Sequence, residues 1–454
     1  MGYHFMRTRR VATPAISVAA FLIGLWLPKL ALGAVNNVGL PVIPLHISNH
    51  FTTQHLFVWI FGVTNQVATG IPKGTNVYAT DKNGDVAINP AIPAAKPRSL
   101  GIPVGNGTSI DLKLPKLSGI RIYTSLGAGL LTQNGGIKGN GLATPDVENP
   151  GDPNFKTIFD SIETTWEDQA PIPQHPEIKT NLGTNVTEVD LFGLVQQYTV
   201  AGTDPATFKL NTTKTAGFLS TAGRETLFKT LQRFGPPWSK LILTSGVTNL
   251  RVVSPNHGIH GTIPPFPLFP SDQLKPYINN VFTHYTTAKL KTTVVVAQPG
   301  GLAVTYNFAG STAGGEFFFS DPTKNGGKPI FSLAKWSTFN AYEGHFPLGT
   351  VKPGGKGCVT PPLSNDCLAY LAVGAKLQGA VMRTNLLVNN NLDACVKSQF
   401  YVNAPVNEYS KRMHDIGIGG RAYGFGFDDT CDQSSFELIF NPTKLTITLP
   451  GQRL

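Results

Sequence analysis

The alternation of apolar and polar residues predicts short strands over the first half of the chain. Residues 44–48 and 110–114 alternate with the period of two that one-sided strands show, and residues 56–61 form an uninterrupted apolar run of strand length. The dipeptide Asn83-Gly84, which stands between two further β-rich runs, is typical of a hairpin turn. These patterns predict a β domain over residues 35–202.

Helical periodicity begins only after this β domain. Residues 224–234 and 271–285 carry apolar side chains three and four positions apart, so each segment predicts an amphipathic helix. Strand patterns bounded by glycines follow at 293–296 and 317–319. We therefore predict a mixed α/β domain over residues 203–402.

The C-terminal part of the chain returns to strands. A short helical pattern around Tyr409 and Met413 precedes the aromatic residues 421–429, which predict a strand. Alternating residues at 436–440 and 445–449 predict two closing strands. The fold class is therefore mainly β with an α/β part.

The first residues, 1–34, have the features of a secretory signal peptide. Three arginines lie within the first ten residues, residues 15–27 are apolar but short for a membrane span, and small residues at 31–34 suit cleavage. We therefore expect a secreted, extracellular protein with no membrane segment after cleavage. Two alternatives stay open: the adjacent arginines also fit twin-arginine export, and the segment could serve as an anchor helix.

The composition is that of a folded, turn-rich protein. The 454 residues include 48 glycines and 35 prolines, only 14% are charged, and 41% are hydrophobic. These proportions exclude a charge-rich disordered chain and a coiled coil. The length suits two or three domains.

The net charge of +10 does not indicate nucleic-acid binding. Without residues 1–34 the net charge falls to +6, and the basic residues are scattered singly. Ten of the 27 acidic residues instead lie between Asp146 and Asp190, a segment that repels phosphates or simply forms solvated acidic loops. We therefore expect no nucleic-acid partner.

Four cysteines are enough for two local disulfide bridges. Cys358 and Cys367 lie nine residues apart across a Pro-Pro turn, and Cys395 and Cys431 flank the C-terminal helical pattern and the aromatic segment. Because exported proteins oxidise such pairs, we predict the bridges Cys358–Cys367 and Cys395–Cys431.

Motifs for metals, phosphates and nucleophilic serines or cysteines are weak or missing. The histidines at 257 and 260, and those at 46, 50 and 55, lack a recognised ligand spacing, and the loop 81–85 lacks the glycine position and closing glutamate of a calcium loop. We therefore predict no metal and no cofactor. Paired carboxylates remain as candidate chemistry, because glycosidic bonds are cleaved by one protonated acid and one ionised base.

Five sequence blocks resemble, in order, glycoside hydrolase family sixty-four, the laminaripentaose-producing β-1,3-glucanases. They are residues 43–49, 114–123, 158–163, 186–193 and 422–429. The resemblance extends over nearly the whole chain after the leader, with further similarity at Trp238, 250–255 and 277–280.

This resemblance implies a thaumatin-like β-barrel or sandwich over residues 35–202, completed by 403–454. The mixed α/β domain would lie between these parts, with a wide groove for β-1,3-glucan where the domains meet. The implied activity is endo-hydrolysis of laminarin-type glucan to short oligosaccharides such as laminaripentaose, by a monomeric enzyme. The alternative is a non-catalytic thaumatin-like protein that binds glucan or acts against fungi.

The resemblance also implies roles for individual residues. Glu163 matches the general acid of an inverting reaction and Asp190 its general base, while Thr165 and Thr187 match groove positions. In the sequence, Glu163 is flanked by Phe159, Ile162 and Trp166, which would keep it protonated in apolar surroundings. The hydroxyl of Thr187 would help to keep Asp190 ionised.

Several alternatives near these residues stay open. Glu188 is a rival base, because in a regular strand it shares a face with Asp190. The extra residues 169–179 are expected to reshape the groove. Asp428 and Asp429 either bind substrate in an acidic cleft or cap a turn. Of the glycosylation sequons at residues 106, 185 and 211, we expect the second to stay bare, because a sugar there would crowd the groove.

Overall fold

The computed structural model describes residues 40–65, 71–88, 101–131, 133–134, 142–218, 223–297, 302–355, 358 and 363–451. The predicted signal peptide lies outside these residues. The chain from Val35 to Leu454 forms one compact unit. Across the described ranges, no helix combines the length and the apolar character needed to cross a membrane.

Strands fill the first half of the described chain. In chain order they are β1 (Val42–Asn49), β2 (Leu56–Val63), β3 (Asn76–Ala79), β4 (Val86–Ile88), β5 (Ile102–Val104), β6 (Ser109–Pro115), β7 (Ser118–Leu126), β8 (Gln133–Asn134), β9 (Leu142–Ala143), β10 (Ile158–Asp168), β11 (Thr180–Val186), β12 (Leu191–Phe192), β13 (Gln197–Thr203) and β14 (Thr212–Gly217).

Helices and strands are mixed in the second half. They are α1 (Gly223–Phe234), β15 (Ile242–Ser245), β16 (Thr248–Val253), α2 (Pro255–His260), α3 (Lys275–His284), β17 (Leu290–Ala297), β18 (Ala303–Ala313), β19 (Glu316–Ser320), β20 (Pro329–Ala334), α4 (Thr338–Glu343), α5 (Asn365–Met382), α6 (Glu408–Ile416) and β21 (Glu437–Leu449).

The largest sheet has 12 strands and is nearly closed, like a barrel. Its main path runs β14-β13-β21-β11-β10-β7-β2-β3-β4. Outside this path, β1 pairs with β21, β6 pairs with β1, and β5 pairs with β2. The mainly β class predicted from the sequence is therefore confirmed. The thaumatin-like assignment, the groove and the domain boundaries stay predictions, although β14 extends the large sheet past residue 202.

The last strand, β21, joins two parts of this sheet. Its first half pairs with β11, whereas its second half pairs in parallel with β1 and antiparallel with β13. Asn441, with a φ of 41°, lies between the two halves, and the register with β13 shifts there. The two closing strands predicted from the sequence are thus one strand with a bulge, because a left-handed asparagine changes the strand direction without ending it.

The second half contributes two smaller antiparallel sheets. One has the order β17-β18-β19-β20 and packs against α5, and the other has the order β12-β16-β15. The sequence pattern did not reveal α5, because apolar residues surround this helix instead of forming one stripe. Buried helices of this kind lack the amphipathic signal.

Two further predictions need correction. The helix predicted over 271–285 begins only at Lys275, since residues 271–274 form turns before it. The aromatic residues 421–429 do not form a strand, and Phe427 has a left-handed φ of 67°. Helices α1 and α6 confirm the other helical patterns.

Both predicted disulfide bridges are present. Cys358 is bonded to Cys367 in the first turn of α5, and Cys395 is bonded to Cys431. These bridges secure the C-terminal third of the chain at two places.

The two bridges should differ in their contribution to stability. The Cys395–Cys431 bridge spans 36 residues and the Cys358–Cys367 bridge spans 9. Because a longer enclosed loop restricts the unfolded chain more, the two contributions are about 4 and about 2.5 kcal/mol. In urea denaturation, we expect the double alanine variant of the longer bridge to lose about 1 kcal/mol more than that of the shorter. Equal losses would contradict this entropic explanation.

Candidate active site

Strand β10 presents Glu163 on the open face of the large sheet. Ser161, Glu163 and Thr165 are partly exposed, whereas Ile162 and Trp166 are buried. This alternation follows from the geometry of a strand, in which successive side chains point to opposite faces. Of the three apolar residues predicted around Glu163, Ile162 and Trp166 pack in the core behind the strand, whereas Phe159 lies on the face of Glu163 in an apolar cluster with Trp59 and Tyr123.

A row of side chains crosses the sheet at Glu163. Arg121 of β7 and Asn185 of β11 lie directly opposite Glu163 on the two neighbouring strands. Beyond Arg121, the row continues through Phe61 of β2 and Tyr78 of β3, which are both half-buried. Directly opposite residues share a face, so the carboxylate lies in one line with a guanidinium and two aromatic rings.

Asp190 reaches the same place from the turn between β11 and β12. Leu191 pairs with Val253 of β16, and the N–H of Ser254 donates to the carbonyl oxygen of Asp190 at 3.1 Å. This backbone pairing holds the turn at the edge of the small sheet. The side chains of Asp190 and Glu163 are 37% and 28% exposed, so both are accessible.

Arg121 lies against both carboxylates. Its Nη2 is 3.4 Å from Oε1 of Glu163, and its Nη1 is 4.0 Å from Oδ2 of Asp190. Burial opposes the charge of Arg121, but the two carboxylates outweigh burial and raise its pKa above the usual range. One guanidinium thus brings together the two residues that the sequence singled out as acid and base.

His257 of α2 contacts Asp190 from the other side. Its Nε2 lies 3.0 Å from Oδ1 of Asp190, and its Nδ1 contacts Oε1 of Glu148. The other oxygen of Glu148 is 2.6 Å from Nδ1 of His260. Burial opposes protonation of His257, but Asp190 and Glu148 outweigh it and raise the pKa of His257 to about 10.

Sequence reasoning considered these histidines only as metal ligands and missed their partners. Within the described ranges, no group of three or more His, Cys, Asp and Glu side chains has an arrangement that could hold a metal ion. His257 and His260 instead form hydrogen-bonded contacts with carboxylates. The spacing of three residues on one short helix was the only signal in the sequence.

Glu188, the rival base, faces the protein interior. It is fully buried, and its Oε2 accepts a hydrogen bond from the N–H of Tyr423 at 3.3 Å. Burial raises the pKa of Glu188 well above its usual value. Residues 187–190 do not form a regular strand, so Glu188 and Asp190 do not share a face. Its position does not support Glu188 as a base.

A buried carboxylate that sequence reasoning missed fixes the Asp190 turn to β10. Oδ2 of Asp160 accepts hydrogen bonds from the N–H groups of Gly193 at 2.8 Å and Leu194 at 2.9 Å. Gly193 lies so close to β10 that an added Cβ would collide with the carbonyl oxygen of Phe159. An aspartate inside an apolar strand pattern was the signal for this role.

The predicted substrate-binding residues occupy different positions. Thr165 lies on the open face with Glu163, and its Oγ1 accepts a hydrogen bond from the N–H of Gly119. Thr187 is buried, whereas Asp429 is exposed. Thr165 and Asp429 are thus accessible to a ligand, and Thr187 is not.

Asp428 has a structural position. It is fully buried and contacts Nη2 of Arg383 at 2.8 Å and Nε2 of His414 at 3.1 Å. These cations outweigh burial and lower the pKa of Asp428. The position supports the turn-holding alternative and does not support a contact with substrate.

The extra residues 169–179 form the loop between β10 and β11. The hairpin closes at Asp168 and Thr180, five positions from Glu163, or about 17 Å along the strand. His175 in this loop stacks on Phe208 with ring centroids 3.7 Å apart. The loop therefore lies away from Glu163, and its position does not support a direct effect on the acid.

Asn185, the sequon residue that we expect to stay bare, is only 6% exposed.

Comparisons with known proteins agree with one another. A family model described as Beta-1,3-glucanase matches residues 41–449. Two relatives, from Arthrobacter sp. (strain YCWD3) and Cellulosimicrobium cellulans, are each named glucan endo-1,3-beta-glucosidase. Each is 26% identical over 96% of this chain and 68% of the relative.

Solved structures share the fold. A crystal structure of a laminaripentaose-producing beta-1,3-glucanase in complex with laminaritetraose superposes with a TM-score of 0.71 at 26% identity, over 90% of this chain and 99% of that chain. A beta-1,3-glucanase domain (GH64) from Clostridium beijerinckii superposes with a TM-score of 0.63 at 21% identity, over 90% and 98%. The second likeness concerns the fold alone.

The close approach at Gly193 gives a stability test. We expect Gly193→Ala to lower the free energy of unfolding by about 1–3 kcal/mol, because the added methyl group must displace the backbone of β10. Gly374 in α5 is a matched control, since a Cβ there meets only Phe346 at 3.8 Å. Gly374→Ala should be neutral or stabilising by about 0.5–1 kcal/mol. Urea denaturation measures both, and a Gly193→Ala variant as stable as Gly374→Ala would contradict the proposed close packing.

Proposed function

The chain belongs to glycoside hydrolase family sixty-four, the β-1,3-glucanases, and from this premise we propose an inverting mechanism in which Glu163 is the general acid and Asp190 the general base. The chain is an endo-1,3-β-glucanase, as its relatives are. The guanidinium of Arg121 contacts both accessible carboxylates, and this observation supports the proposed roles.

The surroundings of the two carboxylates support different roles. Among the described ion pairs, Asp190 has two cationic partners, Arg121 and His257, whereas Glu163 has the shared Arg121. Opposite charges within about 4–6 Å favour the ionised form of a carboxyl group. Asp190 is thus the better candidate for the ionised base, and Glu163 for the acid that donates its proton to the leaving oxygen.

The inverting reaction is proposed from the family to which the chain belongs. An inverting pair must leave room for a water molecule, at about 6.5–9.5 Å, whereas a retaining pair stands at about 5–5.5 Å. Each carboxylate contacts a different Nη atom of Arg121, so both members of the proposed pair lie at one guanidinium. In this proposal, Asp190 takes a proton from water as the water attacks the anomeric carbon.

We further propose laminarin-type β-1,3-glucan as the substrate and short oligosaccharides, including laminaripentaose, as products. The relative with the TM-score of 0.71 is named for that product and was crystallised with laminaritetraose. The aromatic rings of Phe61 and Tyr78 continue the row from Arg121 and offer apolar faces for sugar rings.

The signal-peptide features of residues 1–34 support secretion. A monomer suffices for the proposed reaction, because one chain carries both carboxylates.

Replacement of the acid and the base tests these roles. We expect Glu163→Gln and Asp190→Asn each to lower kcat on laminarin by two or more orders of magnitude with little change in glucan binding, because each removes proton transfer and keeps the shape. Glu188→Gln is the matched control, and it should retain activity because Glu188 is buried. NMR should show the α-anomer as the initial product. An active Asp190→Asn variant beside an inactive Glu188→Gln variant would reverse the assignment.

Substrate choice is a second test. We expect release of reducing sugar from laminarin and curdlan and none from cellulose or chitin. Because β-1,3-glucan is uncharged, KM should change little between low salt and moderate salt. The Asp190→Asn variant gives the background rate. Comparable rates on cellulose, or a KM that rises steeply with salt, would contradict the proposal.

A further inference from the structure

We propose that His257, held by Glu148, is a positioning residue for Asp190: it fixes the carboxylate plane and places a positive charge beside the base. This inference rests on the proposed role of Asp190 as general base. It assigns a function to His257 and Glu148, which lie outside the acid and base themselves.

Directly connected backbone elements place His257 beside Asp190. Strand β16 pairs with β12 immediately after Asp190 and leads directly into α2, with Ser254 between them. The N–H of Leu268 donates to the carbonyl oxygen of Gly258 at 2.8 Å, which ties α2 to the following loop. Backbone contacts therefore set the position of the imidazole relative to Asp190.

The ring is held at both nitrogens. Nε2 faces Oδ1 of Asp190 and Nδ1 contacts Glu148, so the protonated ring donates one hydrogen bond to each carboxylate. With Oδ1 engaged, Oδ2 is the oxygen that faces Arg121. A carboxylate held at one oxygen cannot rotate freely, so the contact with His257 fixes the plane of Asp190.

Glu148 is what keeps the ring charged. A histidine beside one partly exposed carboxylate would still titrate near neutrality, whereas a second carboxylate stabilises the imidazolium further. Glu148 is itself largely buried and has its pKa lowered, because His257 and His260 outweigh the effect of burial. Contacts with two carboxylates therefore favour the charged form of His257.

The other titratable groups around this unit are few in the described structure. His260, on the same helix, shares Glu148 and is largely exposed, and Arg121 of β7 contacts the far oxygen of Asp190. Helix α4 packs against α2 and carries Tyr342 and Glu343. Of these groups, only Arg121 also contacts Asp190 directly among the described ion pairs.

The variant His257→Gln removes the positive charge of the imidazolium but keeps a hydrogen-bond donor at this position. We expect His257→Gln to move the acid limb of the kcat/KM profile to higher pH by about one unit or more, since loss of a nearby cation favours protonation of the base. At pH values below the pKa of the base, a shift of one pH unit lowers kcat/KM about tenfold. KM on laminarin should change little, and a parallel fall of kcat at all pH values would indicate only structural damage.

Matched variants complete the experiment. His260→Gln removes the neighbouring histidine of the same helix without touching Asp190, so its acid limb should stay in place. Glu148→Gln leaves His257 present and should shift the limb in the same direction, which keeps the test available if His257→Gln does not fold. Independently of activity, NMR should find His257 protonated at pH 8 in the wild type.

The outcomes distinguish this inference from the function on which it rests. If Asp190→Asn is inactive but neither His257→Gln nor Glu148→Gln moves the limb, His257 is not a positioning residue and the proposed base remains. A neutral His257 at pH 8 would overturn the inference in the same way. If Asp190→Asn is fully active, the proposed function itself fails.

Discussion

The buried carboxylate of Asp160 ties the turn that carries Asp190 to the strand that carries Glu163. It belongs to the same strand as Glu163, three residues earlier, yet it faces the interior and accepts the N–H groups of Gly193 and Leu194. The turn with Asp190 is therefore tied to the strand with Glu163 by hydrogen bonds that water cannot reach. Burial raises the pKa of Asp160 to about 7, and its N–H donors act against that effect. The position of Asp190 relative to Glu163 depends on this contact.

From that anchor, positive and negative groups alternate across the site. Glu163, Arg121, Asp190, His257, Glu148 and His260 follow one another in space, and each neighbour has the opposite charge when the histidines are protonated. The acidic segment of the sequence is thus only partly a set of solvated loops. Several of its carboxylates are matched by cations from β7 and α2.

The sequence predicted features that depend on neighbouring residues, whereas contacts between distant parts of the chain were missed. Strand alternation, two amphipathic helices, the cysteine pairs and the candidate carboxylates were all readable, because each depends on neighbouring residues or on a resemblance. The partners of Glu163 were not, since the register of β7 against β10 is set by the whole sheet. Arg121 lies 42 positions before Glu163, and His257 lies 67 positions after Asp190. The apolar flanks of Glu163 were only partly readable, because Ile162 points to the opposite face of the strand whereas Phe159 shares the face of Glu163.

The parallel pairing of β1 with β21 has a consequence for how the chain acquires its structure. The first described strand is next to the last one, so the sheet cannot be completed until almost the entire polypeptide has been synthesised. Such long-range pairing makes folding slow and leaves strand edges open meanwhile. A chain that is translocated before it folds would benefit from that delay. A product that ends before residue 437 would instead leave β1, β11 and β13 each with one of their two partner strands missing.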